Sequence, residues 1–290
     1  MARNNNYYSA GEQDSKFKLI RLILCVVLAL LIIVGSVCIG VHVSKLNKEH
    51  TFSGEDAVKQ HYNVNILICV EDTENTDVNP QFVLLGFDGE SETIAVTEIP
   101  DSLKIVGAEK TDTAKNLLNY GSARYLRDAV ENHFGIDIDR YIGCSLSEVE
   151  TFVEKLGGVD YNIKEQMQYK NKDGSLITNL VKGRQKLNGN QVCQFIRYDN
   201  WKSNSEKREK HEDLIVTLIN EHSATLDCDK IVSVYKSISN NIDTDISIVE
   251  VNDFGLNYKV FSKAKTPAFS TGIDFSNGDT ASAQITKFYK

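Results

Sequence analysis

Leu22 to Val41 is an unbroken run of twenty uncharged, apolar-dominated residues close to the start of a 290-residue chain. As a helix it would span about 30 Å, the thickness of a bilayer's hydrocarbon core. A secretory signal would have a shorter apolar core and a small-residue cleavage site after it, and no convincing one follows Val41. Neither Cys25 nor Cys38 has the small residue before it that a lipid-modification signal requires. Arg3, Lys16, Lys18 and Arg21 precede the run against only Glu12 and Asp14, which places the short tail in the cytoplasm. The expected organisation is therefore a cytoplasmic tail (1–21), one transmembrane helix (22–43), a juxtamembrane linker (44–63) and an extracellular domain (64–262), with a C-terminal extension (263–290).

The part beyond the anchor is long enough for one sizeable domain. The chain carries a net charge of −8, and the six basic and three acidic residues up to position 50 contribute +3, so the remainder stands near −11. That balance excludes a nucleic-acid partner, which would require a basic surface. Cys69, Cys144 and Cys193 lie in apolar or helical stretches, and no cysteine spacing suggests zinc, so these read as buried thiols.

Asn65 to Val70 is continuously apolar, the pattern of a strand covered on both faces. Residues 82–87 and 93–97 flank Asp88-Gly89 and predict an antiparallel hairpin. The period then changes: Tyr125, Leu126, Ala129, Val130 and Phe134 recur at helical spacing and Gly135 stops the helix. A strand through Tyr141 and Ile142 follows. Ser145 with Glu148 predicts a capped helix ending at Gly157-Gly158, then a short strand over 159–163. Lys172-Asp173-Gly174 predicts a surface hairpin. Asn188 with Gln191 caps a helix that presents Arg197 at its end, and Ser203 with Glu206 starts one running to about His222. Strands and helices in this succession imply an α/β domain in which helices pack repeatedly on a sheet.

Two stretches carry a family resemblance: YLRDAVENHFGIDIDRYIGCSLSEVETFVEKLGGVDYNI (Tyr125 to Ile163) and KGRQKLNGNQVCQFIRY (Lys182 to Tyr198). They resemble the LytR-CpsA-Psr family of membrane-anchored cell-envelope proteins. The first matches its helix, GI-x-ID-x-Y, helix, LGGVD succession, and the second its G-x-x-x-LNG-x-QAL-x-YVR segment. The resemblance implies a three-layer α/β/α sandwich with a mixed central sheet and a deep apolar pocket for a polyprenyl chain. It also implies magnesium-dependent transfer of a glycopolymer from a polyprenyl pyrophosphate carrier to peptidoglycan. Such chemistry asks for arginine forks on pyrophosphate oxygens and a carboxylate on the metal.

The family's cationic positions are largely exchanged here. Its G-x-D-x-R keeps Asp72 but has Glu74 for the arginine; R-S-D-(T/S) falls near Asn79-Pro80-Gln81-Phe82; IPRD becomes Ile99-Pro100-Asp101-Ser102; the arginine after YVR aligns with Asp199. R-x-x-R-Q aligns with Lys207, Arg208, Glu209, Lys210 and His211. The residues carried over are Asp72 and Arg197 as catalytic candidates, Asp72 as the metal carboxylate, and Arg197, Lys207, Lys210 and Asn116 as phosphate contacts. Counting back from Leu214 and Leu218 puts Lys207 and Lys210 on the inward side of their helix and Glu212 towards the outside. A lone histidine at 211 gives no ligand signal. Two functions remain open: the family's transfer reaction, and a catalytically inactive relative that binds polyprenyl lipid or wall polymer or scaffolds an active one.

Overall fold

A computed structural model of the chain describes residues 63–88, 91, 93–223, 241–247 and 267–290. The run expected to be the anchor lies outside these residues, as do Cys25, Cys38 and Cys228. Among the described residues no helix is long and apolar enough to cross a membrane.

The apolar run after residue 63 forms strand β1 (Val64–Glu71), buried along all but its last residue. It lies between β2 (Gln81–Asp88), antiparallel with Val70 opposite Gln81, and β6 (Arg140–Ser145), parallel with Ile66 opposite Arg140. Strand β3 (Thr93–Ile99) completes the expected hairpin with β2. Two short strands, β11 (Asp243–Thr244) and β12 (Ala268–Ser270), close the edges, giving the mixed order β11-β6-β1-β2-β3-β12. Alternate residues of the central strands face opposite layers, as a period of two requires. Ile66, Ile68, Val70, Val83, Leu85 and Val96 enter one core, whereas Leu67, Cys69, Leu84 and Ala95 enter the other.

Helices α1 (Ala114–Gly121) and α2 (Ala123–Phe134) pack on the second core. Helices α3 (Leu146–Leu156), α4 (Gly189–Arg197) and α5 (Asn204–His222) pack on the first. The caps read from sequence are formed: Ser145 with Glu148, Asn188 with Gln191, and the Ser203 hydroxyl accepting from the Glu206 amide. Gly135 and Gly157 end their helices with positive φ. Strand β7 (Val159–Ile163) is formed as expected but leaves the main sheet, pairing with β10 (Gly183–Leu187). The Lys172-Asp173-Gly174 turn joins β8 (Met167–Lys170) to β9 (Leu176–Leu180), and β4 (Lys104–Val106) pairs with β5 (Thr111–Thr113). Cys69, Cys144 and Cys193 are buried free thiols.

Gly189 sets how closely α4 approaches α3. A Cβ there would stand 1.8 Å from the Glu150 carbonyl oxygen, a backbone atom that cannot swing away, and the Gly189 amide donates to Glu154 Oε2 at 3.0 Å. Gly189→Ala is expected to cost about 3 kcal/mol, at the upper end of overpacking effects, despite alanine's better helix propensity. Urea unfolding tests this, and an unchanged midpoint would mean that the two helices can separate at little cost.

The C-terminal stretch is not an appendage, contrary to the expected boundary at 262. β12 pairs parallel with β3, Ala268 opposite Ile94, and α6 (Gly278–Tyr289) lays Ala281, Ile285 and Tyr289 into the second core. The Tyr289 hydroxyl donates to the Leu84 carbonyl at 3.1 Å and lies 2.7 Å from Thr97 Oγ1, while Asn65 Nδ2 donates to the Tyr289 carbonyl at 2.6 Å. Its ring packs directly over Gly86, where a Cβ would be 2.6 Å away. Three strand residues and three helical apolar positions are too short a pattern to reveal this closure before the tertiary contacts are known.

Candidate functional site at the ends of β1 and β3

Between the sheet and helices α3, α4 and α5 lies a cavity with about 70 Å³ of free space. Ile68, Val83, Phe152, Val192, Leu214 and Leu218 are among its walls, so the lining is almost wholly apolar. Well-packed cores rarely leave such space. The polar exceptions are Gln81, Glu98 and His211. Gln81 begins β2 and Glu98 nearly ends β3, so the polar residues collect where β1 also ends.

Asp72 follows β1 two residues after the cavity residue Val70, and Arg197 ends α4 one residue after the cavity residue Ile196. Their side chains meet in a two-pronged ion pair: Arg197 Nε donates to Asp72 Oδ2 at 2.7 Å and Nη2 to Oδ1 at 3.0 Å. The Asp72 side chain is 1% exposed and that of Arg197 14%. The backbone amides of Glu74 and Asn75 also donate to Asp72 Oδ1, at 3.2 and 3.1 Å. Hydrogen bonding to Asp72 raises the Arg197 pKa above its usual value despite burial. Glu74 adds a further contact to Arg197 Nη2 at 3.2 Å.

Three donors converge on Asp72 Oδ1 and one on Oδ2, so most of the acceptor capacity of the carboxylate is taken, with one direction of Oδ2 left over. Among the described residues no group of three or more His, Cys, Asp or Glu is arranged to hold a metal. A lone carboxylate already paired with Arg197 is a poor fit for a resident magnesium ion.

The other expected phosphate contacts are dispersed. Lys207 reaches Asp199 at 2.8 Å, and Lys210 reaches Glu209 at 2.8 Å while lining a separate cleft with Tyr161, Tyr198 and Trp201. Asn116 is exposed on α1, across the sheet, with its amide donating to Asp112 Oδ1 at 2.7 Å. The structure thus unites Asp72 with Arg197 and leaves Lys210 and Asn116 away from the cavity walls. Glu74 and Asp199, the positions where the resemblance sets family arginines, pair with Arg197 and Lys207.

Sequence reasoning missed the polar wall. Glu98 and His211 are buried partners, Nδ1 to Oε2 2.9 Å, and the adjacent Glu212, expected to face outward, is buried too. Glu212 accepts from the Glu98 amide at 2.8 Å and from the Ser270 hydroxyl, and burial pushes its pKa up. The available signal was parity: Glu98 continues the inward series Ile94, Val96, and His211 lies three and seven residues before Leu214 and Leu218.

The chain matches the LytR_cpsA_psr family over residues 36–284. The polyisoprenyl-teichoic acid–peptidoglycan teichoic acid transferase TagV of Bacillus subtilis is 23% identical over 204 residues, covering 68% of this chain and 52% of TagV. The chain thus spans about half the length of that relative. The crystal structure of B. subtilis TagV shares the fold with a TM-score of 0.61 at 18% identity, covering 78% of this chain and 95% of that one. TagT bound to LIIa-WTA superposes with a TM-score of 0.57 at 15% identity, covering 82% and 93%.

Proposed function

This chain belongs to the LytR_cpsA_psr family, and from that premise we propose that it is a membrane-anchored, extracellular binder of polyprenyl (pyro)phosphate lipid in the cell-envelope glycopolymer machinery, with the family's transfer to peptidoglycan weakened or lost. The observation that carries this reading is an intact apolar cavity beside cations already neutralised by the protein's own carboxylates. The cavity supports lipid recognition, since a chain of isoprene units needs apolar walls and little else. The paired cations argue against transfer. An arginine committed to two carboxylates has little positive field left for a pyrophosphate leaving group, and losing one preorganised stabilising donor commonly costs about 100- to 1,000-fold in rate.

The transferase reading retains one point in its favour, the Asp72–Arg197 pair close in sequence to the cavity residues Val70 and Ile196. As the pair now stands, protein donors take most of the acceptor capacity of Asp72, which argues against magnesium there.

The purified full chain in detergent is expected to bind geranylgeranyl phosphate and to release no polyprenyl phosphate from a lipid-linked saccharide pyrophosphate given magnesium. Val83→Phe serves as the cavity control. Filling real space should stabilise the empty protein by about 0.5–2 kcal/mol while lowering lipid affinity at least about tenfold. Sustained turnover abolished by Asp72→Ala would overturn the binder reading. A destabilised Val83→Phe with unchanged lipid binding would show that the chain does not enter this cavity.

A further inference from the structure

His211 is 3% exposed, lines the cavity, and is held by Glu98 through Nδ1 at 2.9 Å. A carboxylate on Nδ1 fixes the hydrogen there and leaves Nε2 as the free acceptor of a neutral ring. That Nε2 is buried and has no hydrogen-bond partner among the described residues. His211 lies on the same face of α5 as the cavity residues Leu214, Ile215 and Leu218. Buried polar atoms without partners are uncommon, and at the wall of an open site the missing partner is most simply a ligand atom.

The surrounding charges decide what that atom is. Glu98 from β3 and Glu212 from α5 are the nearest carboxylates, the latter committed to the Glu98 amide and the Ser270 hydroxyl of β12. Gln81 from β2 is uncharged, and α4 contributes the Phe195 ring, 6.1 Å from the imidazole. Further along α5, Lys207 is held by Asp199, Arg208 lies over the Phe275 ring, Lys210 by Glu209, and Asp213 accepts from the Tyr161 hydroxyl. Arg197 is occupied by Asp72 and Glu74. With a neutral imidazole this wall is net negative and repels an anionic head group. Histidine is the side chain able to gain positive charge near neutral pH, and doing so turns Nε2 from an acceptor into a donor.

We infer that His211 is the phosphate-facing cation of this cavity: when a phosphorylated lipid binds, the ring takes a proton from solvent and Nε2–H donates to a phosphate oxygen, so that binding is coupled to proton uptake. The inference rests on the lipid-binding reading and adds a specificity residue to it. A carrier bearing phosphate is then favoured over the free alcohol as the pH falls, and the gain disappears as it rises.

The test is calorimetric titration of the full chain in detergent with geranylgeranyl phosphate, in two buffers of different ionisation enthalpy, at pH 6.5 and pH 8. The wild-type protein is expected to take up about one proton more than His211→Gln and to lose about tenfold more affinity between the two pH values. Because the ligand is the same, its own phosphate titration cancels in that comparison. Glu98→Gln, which removes the carboxylate that stabilises the imidazolium, should also reduce the uptake. Ring-nitrogen NMR of the wild-type protein provides a reading independent of any variant: an imidazolium signal should appear with geranylgeranyl phosphate and not with geranylgeraniol. Equal proton uptake in wild type and His211→Gln, or no imidazolium signal, overturns the inference while leaving lipid binding intact. Failure of both phosphate and alcohol to bind overturns the lipid reading together with it.

Discussion

Arg197→Met should destabilise the domain by about 3–5 kcal/mol, whereas the double variant Asp72→Asn, Arg197→Met should recover most of that loss. The asymmetry follows from burial. Asp72 has a 1% exposed side chain and depends on the guanidinium for half of its hydrogen bonds, so removing the arginine leaves a charge stranded in the protein. Turning the carboxylate into an amide removes the charge while keeping an acceptor for the Glu74 and Asn75 amides. Glu74, largely exposed, cannot substitute as a partner for Asp72 and contributes little through its own screened contact to Arg197. Urea unfolding of the four members of the cycle measures the coupling directly. A single-variant loss under about 1 kcal/mol would show that water reaches Asp72 as readily as it reaches a surface carboxylate, and the pair would lose its structural role.

Much of the architecture was legible because local signals agreed with the global fold. The uninterrupted run at 65–70 could only be a strand covered on both sides, and it stands between β2 and β6. Ser145 with Glu148 and Asn188 with Gln191 are short-range devices whose geometry depends on four consecutive residues, so tertiary context could not override them. The association of β12 and α6 with the body of the domain was not legible. Its information lies in distant partners such as Thr97 and Asn65, 192 and 224 residues from Tyr289, and no local pattern encodes them. Nor was the allocation of β7 to a separate ribbon, since a strand's sequence fixes its alternation but not its neighbour.

The site divides in the same way. Arg197 and Asp72 were identified by motif spacing and do come together. Lys210 was misplaced because stepping back four residues from Leu214 lands on the edge of the buried face, whereas stepping back three lands on His211 at its centre. Glu98 escaped notice because the strand was taken to end at residue 97, just before the charged position that faces the cavity. A carboxylate on the buried side of a strand and a histidine on the buried side of a helix are each ordinary alone, and only the fold makes them a pair.

Placing arginines at positions 74 and 199, whose carboxylates now pair with Arg197 and Lys207, is expected to have the largest functional effect. Glu74→Arg removes an anion from Arg197 and adds a fork beside it, and Asp199→Arg releases Lys207 from its 2.8 Å partner. At about 5 Å and an effective dielectric between 20 and 80, each charge against a pyrophosphate oxygen is worth roughly 1–3 kcal/mol. The double variant should therefore bind geranylgeranyl pyrophosphate about 1,000-fold more tightly than the natural sequence. Geranylgeraniol has no charge for the new arginines to meet, and its affinity should stay within about twofold. The two positions serve different cations, so their effects should be close to additive. Equal tightening for alcohol and pyrophosphate would trace the gain to a reshaped cavity, and no tightening at all would mean that the head group lies elsewhere than beside Arg197. A pyrophosphate-selective gain would show that the natural chain kept the lipid channel of its family and lost the cationic grip through carboxylates placed where arginines stood.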